Sequence, residues 1–166
     1  MAYSTNKTVP FNIKKSVEKA SKPIKIVSEP ETLYGDIPLS WANKLDRVLM
    51  IRRGIPYSAI EVLSERLNSP IKAFLSLIGI PQTTYNKKKS QHSRLDSRDS
   101  ELIVMISEVL DFGLEVFNKE EAKFQRWIKK SNISLGGNTP ESLFDTATGI
   151  DEVRFALNRI EYGNFA

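Results

Sequence analysis

The segment from residue 99 to residue 118 constrains the fold of this 166-residue chain more than any other segment. When it is placed on a helix, its apolar side chains cover more than half of the circumference, whereas a surface helix has one apolar stripe. We therefore expect it to lie at the centre of the fold, packed by several neighbours. A narrow acidic strip, which we expect to face solvent, consists of Glu108, Asp111 and Glu115. The apolar positions are Leu102, Ile103, Met105, Ile106, Val109, Leu110, Phe112, Leu114, Val116 and Phe117.

Two helices are predicted in the first part of the chain after residue 40. The first begins near Trp41, because apolar residues there recur at the spacing of one helical face, and the Gly-Ile-Pro sequence at 54–56 should end it. Ser58 and Glu61 have the spacing of a capping box at the start of the second. The apolar stripe of the first helix is Trp41, Leu45, Val48 and Leu49, and that of the second is Ile60, Leu63 and Leu67.

A helix-turn-helix layout follows in residues 69–94. Ser69 and Pro70 are residue types that start helices, the Gly-Ile-Pro sequence at 79–81 makes a turn, and a polar, lysine-rich helix comes next. Amide and hydroxyl side chains on such a helix can read base edges, and basic ones can neutralise phosphates. A helical hairpin with a solvated basic end is the alternative. The candidate DNA-binding residues are Gln82, Thr83, Thr84, Asn86, Lys87, Lys88, Lys89 and Arg94.

Three more helices are predicted after the central one. The first covers residues 119–130, with Ala122, Phe124, Trp127 and Ile128 as core positions. A loop with two glycines follows at 132–138, a helix starts at the Thr-Pro sequence of 139–140, and Gly149 separates that helix from the last. No segment of useful length alternates as a strand does. The chain is therefore predicted to be all-α from about residue 41.

The last helix carries two stripes. Ile150, Val153, Leu157 and Ile160 share one face, which we expect to contact the core. Phe155, Arg159 and Tyr162 share a second face, with Glu152 beside them. Aromatic residues and arginine are enriched at protein interfaces, so a second protein, or a second copy of this chain, could cover this face. The alternative is that a loop or another helix of the same domain covers it.

Charge divides the chain. Residues 1–100 contain 17 Lys and Arg against 9 Asp and Glu, whereas residues 101–166 contain 7 against 11. A basic part suits phosphate backbones. Residues 1–40 are predicted to be a basic arm, because lysines repel one another and prolines interrupt helices. The arm is either a flexible tail or a contributor to nucleic-acid binding. Its prolines are at positions 10, 23, 30 and 38, and its lysines at 7, 14, 15, 19, 22 and 25.

The residue types that most enzymes need are scarce. Cysteine is absent, and His92 is the only histidine, in a polar stretch typical of a solvated loop. We therefore predict that the chain is not an enzyme and that it has no cofactor and no metal site. No apolar run approaches the roughly 18 residues of a membrane span, and the first residues lack the apolar region of a secretory signal. We expect a cytoplasmic protein without a membrane partner.

Two sets of residues resemble one family. The C-terminal set closely resembles the signature of the Xre/MbcA/ParS toxin-binding domain, and the earlier set is similar to the Xre-type helix-turn-helix region of the same antitoxins. The resemblance covers residues 44–166. The earlier set is Thr84, Tyr85, Asn86, Lys87, Lys88, Arg94, Leu95 and Ser100. The C-terminal set is Thr139, Pro140, Leu143, Asp145, Thr146, Gly149, Val153, Leu157, Arg159, Ile160, Glu161, Tyr162, Gly163, Phe165 and Ala166.

The resemblance implies an architecture and a function. The architecture is an Xre-like helix-turn-helix domain at 41–98 and a small helical toxin-binding domain, with the central helix, at 99–166; the basic arm at 1–40, predicted from its composition, matches no part of the family pattern. The function is that of an antitoxin: neutralising a cognate RES-type toxin that degrades NAD by covering its active-site entrance. The resemblance also implies binding to operator DNA, and we expect a homodimer or a toxin-bridged hetero-oligomer. The predicted toxin-binding residues are Phe155, from the second stripe of the last helix, and, as the resemblance implies, Arg159, Glu161, Tyr162, Gly163, Asn164, Phe165 and Ala166.

The sequence departs from the family pattern at two places. Lys87 and Lys88 stand where many members have arginines, which favours phosphate contact over bidentate guanine recognition. Asn164 replaces a small apolar residue before the final aromatic. A stand-alone helix-turn-helix repressor, whose C-terminal domain only dimerises, is the alternative function.

Overall fold

The computed structural model of the protein describes residues 43–163, together with the backbone of residues 33–34 and 37–38. A short antiparallel hairpin of β1 (Leu33–Tyr34) and β2 (Ile37–Pro38) precedes the helices. The rest of the predicted arm, Trp41 and residues 164–166 lie outside the described residues. The helices are α1 (Lys44–Arg53), α2 (Ala59–Arg66), α3 (Ile71–Leu77), α4 (Gln82–Ser90), α5 (Ser97–Val116), α6 (Glu121–Ile128) and α7 (Ala147–Glu161), with 3-10 helices at Ile133–Leu135 and Glu141–Leu143.

The predicted all-α class and the central position of α5 are both confirmed. Asp96 caps the helix, because its side chain accepts a hydrogen bond from the backbone nitrogen of Asp99 at 2.8 Å. Helices α1, α2, α6 and α7 all pack against α5. A helix that is apolar around most of its circumference needs neighbours on most sides, and these four helices supply them.

The acidic strip of α5 does not face solvent as predicted. Glu108 accepts hydrogen bonds from Arg47 at 2.9 Å and from Arg154 at 3.0 Å, so it joins α1 to α7 through α5. Asp111 pairs with Arg66 of α2 at 2.6 Å. Only Glu115 of the predicted strip is exposed. The prediction was wrong because helical periodicity gives no information about arginines that other helices bring to this side.

Helix α1 ends where predicted, but its buried face is not the predicted one. Gly54 ends the helix at φ +81°, and a Cβ there would overlap the carbonyl oxygen of Leu95, so glycine is required. The predicted stripe is exposed at Leu45, Val48 and Leu49, with Leu45 at 66%. Ile51 is buried instead, on the side of α1 where Arg47, one helical turn earlier, bonds to Glu108 of α5.

The predicted capping box of α2 does not form. Ser58 makes no side-chain capping bond, and the carboxylate of Glu61 is paired with the Lys89 ammonium. The predicted core stripe is confirmed, because Ile60, Leu63 and Leu67 are all fully buried. Helix α3 starts one residue later than Ser69 capping would give, with Pro70 at the N-cap and the Ser69 hydroxyl donating to Glu141.

The helices after α5 both pack against it. Phe124 and Ile128 of α6 are buried and Trp127 is partly buried, as predicted, whereas Ala122 is exposed. The Thr-Pro sequence at 139–140 starts only a 3-10 turn. Gly149 does not separate two helices but lies in the first turn of α7, where its backbone nitrogen donates to the Thr146 hydroxyl at 3.1 Å.

Candidate partner-binding surfaces

Helix α7 has one buried and one exposed face, which places the second predicted stripe at the surface. Ile150, Val153 and Leu157 are fully buried against the rest of the chain. On the opposite side, Phe155 is 56% exposed and Tyr162 is 72% exposed. Among the described residues, no loop or helix covers these aromatic rings. Leaving two large aromatic side chains in water is unfavourable, so this face has the character of an interface.

The exposed face of α7 forms a groove of about 400 Å³, which we call the α7 groove; it is lined by Glu152, Phe155, Asn158, Arg159 and Tyr162. Within the described part of the chain, neither Glu152 nor Arg159 takes part in a recorded salt bridge. The groove therefore combines two aromatic surfaces with a carboxylate and a guanidinium. It can receive an apolar side chain of another protein together with a charged one.

Two of the remaining predicted toxin-binding residues lie next to this groove at the end of α7, and three lie outside the described residues. Glu161 and Gly163 are exposed at the end of α7. Asn164, Phe165 and Ala166 lie outside the described residues. Sequence reasoning missed Asn158, and it missed Ile133, which is 96% exposed in a 3-10 helix that packs against α7. A lone apolar residue in a polar loop was the available signal for Ile133.

Most of the predicted DNA-binding residues lie on the exposed side of α4. Tyr85 is buried and fixes the rotation of the helix, with its ring 6.3 Å from that of Tyr57. Burial raises the pKa of the Tyr85 hydroxyl, and the nearby Glu61 carboxylate adds to the rise. The other side chains point outward because Tyr85 points inward. The exposed members are Gln82, Thr83, Thr84, Asn86, Lys87 and Lys88.

Lys89 and Arg94 bond within the chain. The Lys89 ammonium pairs with Glu61 and lies 5.9 Å from the centre of the Tyr85 ring. Its hydrogen bond holds the pKa of Glu61 below the ordinary value. Arg94 donates from Nη1 to the Gly54 carbonyl oxygen at 2.7 Å. These two cations hold the end of α4 and the following turn, where His92 is exposed, against α1 and α2.

The described residues offer little for metal chemistry or membrane insertion. They contain no group of three or more His, Cys, Asp or Glu placed to hold a metal ion. None of the helices from α1 to α7 combines the length and the apolarity that crossing a bilayer requires. Two exposed surfaces stand out in the described residues, one aromatic on α7 and one basic and polar on α4.

Comparisons with known proteins match both of these regions. Residues 46–107 match the antitoxin Xre-like helix-turn-helix domain, and residues 113–163 match the antitoxin Xre/MbcA/ParS C-terminal toxin-binding domain. The first match contains α4 and the second contains α7. Together they span nearly all of the described residues.

Whole-chain relatives agree with these matches. The protein named Antitoxin Xre of Photorhabdus laumondii is 27% identical over 139 residues, covering 84% of this chain and 93% of the relative. Antitoxin Xre of Yersinia enterocolitica is 25% identical over 139 residues, covering 84% and 94%. A protein of a Sphingobium species named Prs ADP-ribosylating antitoxin is 26% identical over 134 residues, covering 75% and 84%.

Proposed function

Because the chain belongs to the Xre/MbcA/ParS antitoxins, we propose that it neutralises a RES-type toxin by covering the entrance to an NAD-degrading active site with α7 and the residues after it. The chain is an antitoxin of a toxin–antitoxin system with a helix-turn-helix domain, and it is not an enzyme. The observation that supports the mechanism is the α7 groove, an exposed aromatic face on a helix whose other face is fully buried.

To cover the active-site entrance, this chain needs affinity for the toxin and a complementary shape, but no catalytic residues. Phe155 and Tyr162 supply large apolar area that a partner can remove from water, and Arg159 supplies a fixed positive charge. The buried stripe holds α7 rigidly on α5, so little conformational entropy is lost when a toxin binds. An inhibitor of this kind competes with NAD for access to the toxin.

The test is co-expression of the chain with the product of the neighbouring gene, followed by co-purification and an NAD-consumption assay. We expect a stable complex and inhibition that weakens as NAD concentration rises. A neighbouring product that neither co-purifies nor consumes NAD would contradict the proposal. It would favour the second candidate, a stand-alone repressor whose C-terminal domain only dimerises.

The chemistry of the toxin has a second candidate, which the name of the Sphingobium relative supports. That name connects the relative with ADP-ribosylation of Prs. ADP-ribosyl transfer also consumes NAD, but it requires an acceptor protein. Assaying the purified toxin with and without cell extract distinguishes the two, because degradation of NAD alone proceeds in buffer.

We also propose that α4 binds operator DNA, so that the antitoxin regulates its own operon in the cytoplasm. The support is the row of exposed polar and basic side chains on α4, above all Lys87 and Lys88. Replacing both with glutamine should make the slope of log K against log salt less steep by roughly 1.8, since each phosphate contact contributes about 0.9 to its magnitude. A slope equal to that of the unmodified chain would contradict the assignment of α4.

The assembly is proposed to be a homodimer or a hetero-oligomer bridged by the toxin. Multi-angle light scattering of the chain alone and of the toxin complex tests both forms. A monomer alone that also forms a one-to-one complex would contradict both.

A further inference from the structure

We propose that Arg52 and Arg53, at the C-terminal end of α1, contact the phosphate backbone of DNA beside α4. This proposal rests on the proposed DNA binding by α4 and adds a second element to that surface. Both arginines are exposed, and neither forms a salt bridge with another described residue.

A chain of short bonds brings the end of α1 to the turn after α4. The carbonyl oxygen of Lys88 accepts a hydrogen bond from the backbone nitrogen of Ser93 at 2.9 Å. The next residue, Arg94, donates from its side chain to the carbonyl of Gly54 at 2.7 Å. Gly54 follows Arg53 directly. The two arginines therefore lie next to the same turn that holds the end of α4.

The backbone makes this junction rigid. Leu95 donates from its nitrogen to the carbonyl oxygen of Ile55 at 2.8 Å, and Pro56 and Arg94 form an isolated antiparallel bridge. The hydroxyl of Ser100 in α5 accepts a hydrogen bond from the Ile55 nitrogen at 3.0 Å. Because the junction has little freedom, the backbone positions of Arg53 and of the end of α4 are fixed before any ligand binds. Cations on a backbone that is already fixed lose less conformational entropy when they contact DNA phosphates.

The arrangement of charge favours a polyanion. Lys87 and Lys88 on α4 and Arg52 and Arg53 on α1 lie on the two sides of the junction, all of them exposed. Arg98 is also exposed in the first turn of α5, where the negative charges of Asp96 and Asp99 offset its positive charge. Basic residues in the last turn of α1 also stabilise the helix dipole. An arginine can stabilise the helix dipole even when it is paired with an acidic residue. Contact with phosphate, in contrast, requires an arginine that has no acidic partner.

The experiment compares the full chain with the double variant Arg52→Gln, Arg53→Gln by fluorescence anisotropy. The probes are a duplex from the promoter of its own operon and an unrelated duplex, each titrated at several salt concentrations. We expect the slope of log K against log salt to become less steep by roughly 1.8. We expect Kd at 0.15 M salt to rise roughly thirtyfold. Both duplexes should lose affinity by the same factor, because phosphate contacts carry no sequence information.

The matched control is the double variant Arg126→Gln, Lys130→Gln, which removes the same charge. Arg126 is exposed in α6 and Lys130 is exposed just after it. Helix α6 contacts α5 at Gly113, about 20 Å along α5 from Ser100 at the α1 junction at the helical rise of about 1.5 Å per residue. Its salt slope should equal that of the unmodified chain. A third variant, Arg52→Lys with Arg53→Lys, keeps the charge and should retain the slope, and melting curves verify that every variant is folded.

The outcomes separate this proposal from the proposed function. If the unmodified chain binds neither duplex, the proposal of DNA binding is wrong, and the proposed role of the arginines is wrong as well. If the unmodified chain binds DNA and the glutamine variant has the same slope, only the role of the arginines is overturned. If the glutamine variant binds DNA normally but loses the toxin, the arginines face an acidic protein surface, and the proposal is likewise overturned.

Discussion

Glu61 lies where α2 meets α4, and its carboxylate accepts a hydrogen bond from the Lys89 ammonium. Sequence spacing assigned this glutamate to a capping box with Ser58, a local bond three residues away. The tertiary bond forms instead, because α4 brings a cation to the same carboxylate. Glu61 therefore connects two helices and does not cap one.

Replacing Glu61 with glutamine should reduce stability at neutral pH and have little effect in acid. The pKa of Glu61 is lowered from 4.5, so its stabilising effect is complete above that pH and is lost as pH falls through the lowered pKa. Urea unfolding at pH 7 and pH 3 measures the difference between the variant and the unmodified chain. That difference should shrink in acid, whereas Glu65→Gln, an exposed control on the same helix, should differ little at either pH.

Gly149 has a structural role that its position in a helix would not suggest. A Cβ there would overlap the carbonyl oxygen of Leu143, so only glycine lets α7 approach the preceding turn. We expect Gly149→Ala to cost about 1–3 kcal/mol, which lowers Tm by several degrees in a domain of this size. Thr148→Ala at the neighbouring exposed position is the control and should change Tm by less than about 1 °C. An unchanged Tm for Gly149→Ala would show that α7 shifts at no cost.

At the scale of elements, α5 connects α1 to α7. Glu108 bonds to Arg47 on α1 and to Arg154 on α7, and Arg154 directly precedes the groove residue Phe155. The side chains of Glu108 and Arg47 are each 22% exposed, so water screens this bridge only in part. The acidic side of α5 therefore helps to position α1 and α7.

Replacing Glu108 with glutamine should destabilise the fold by about 1–2 kcal/mol. That range lies between the small contribution of surface ion pairs and the several kcal/mol lost when a fully buried pair is broken. Chemical denaturation measures it, with Glu115→Gln, exposed on the same helix, as a control expected within about 0.5 kcal/mol of the unmodified chain. Equal effects of the two substitutions would contradict the role of Glu108 as a bridge.

The end of α7 should be dispensable for folding and required for neutralisation. The helix ends at Glu161, and the two removed residues that the structure describes, Tyr162 and Gly163, are both exposed, Tyr162 at 72%. We expect the truncated chain to keep its Tm and to lose protection of cells that express the toxin. Rescue of those cells by the truncated chain would refute occlusion by this end of the molecule.

At the scale of the whole molecule, the two proposed activities occupy different helices and should be separable. Phe155→Ala with Arg159→Ala removes groove contacts of the hot-spot type and should weaken toxin binding at least about thirtyfold, leaving DNA affinity unchanged. Lys87→Gln with Lys88→Gln should do the reverse. Calorimetry with the toxin and anisotropy with DNA measure both activities of each variant. Loss of both activities in either variant would contradict this division of surfaces.

Much of the molecule was predictable because its cause is local. The apolar periodicity of α2, α5 and α7 predicted their buried stripes, and glycine and proline predicted the ends of α1 and α3. Both stripes of α7 were visible in the order of its residues. The failures concern polar side chains and helix rotation: Glu61, Glu108 and the exposed face of α1. Their partners lie 28 to 61 residues away along the chain, beyond the reach of any helical repeat.

By itself, the sequence determined the helical class, the central position of α5 and the existence of an aromatic surface on the last helix. Hydrophobic periodicity determines these features, because burial of apolar area is the largest favourable term in folding and needs no specific partner. Only the tertiary structure decided which charges pair, which side of α1 faces the core, and that Arg52 and Arg53 lie next to the turn after α4. Hydrogen bonds and ion pairs are directional and short, so they exist only after packing has brought distant residues together.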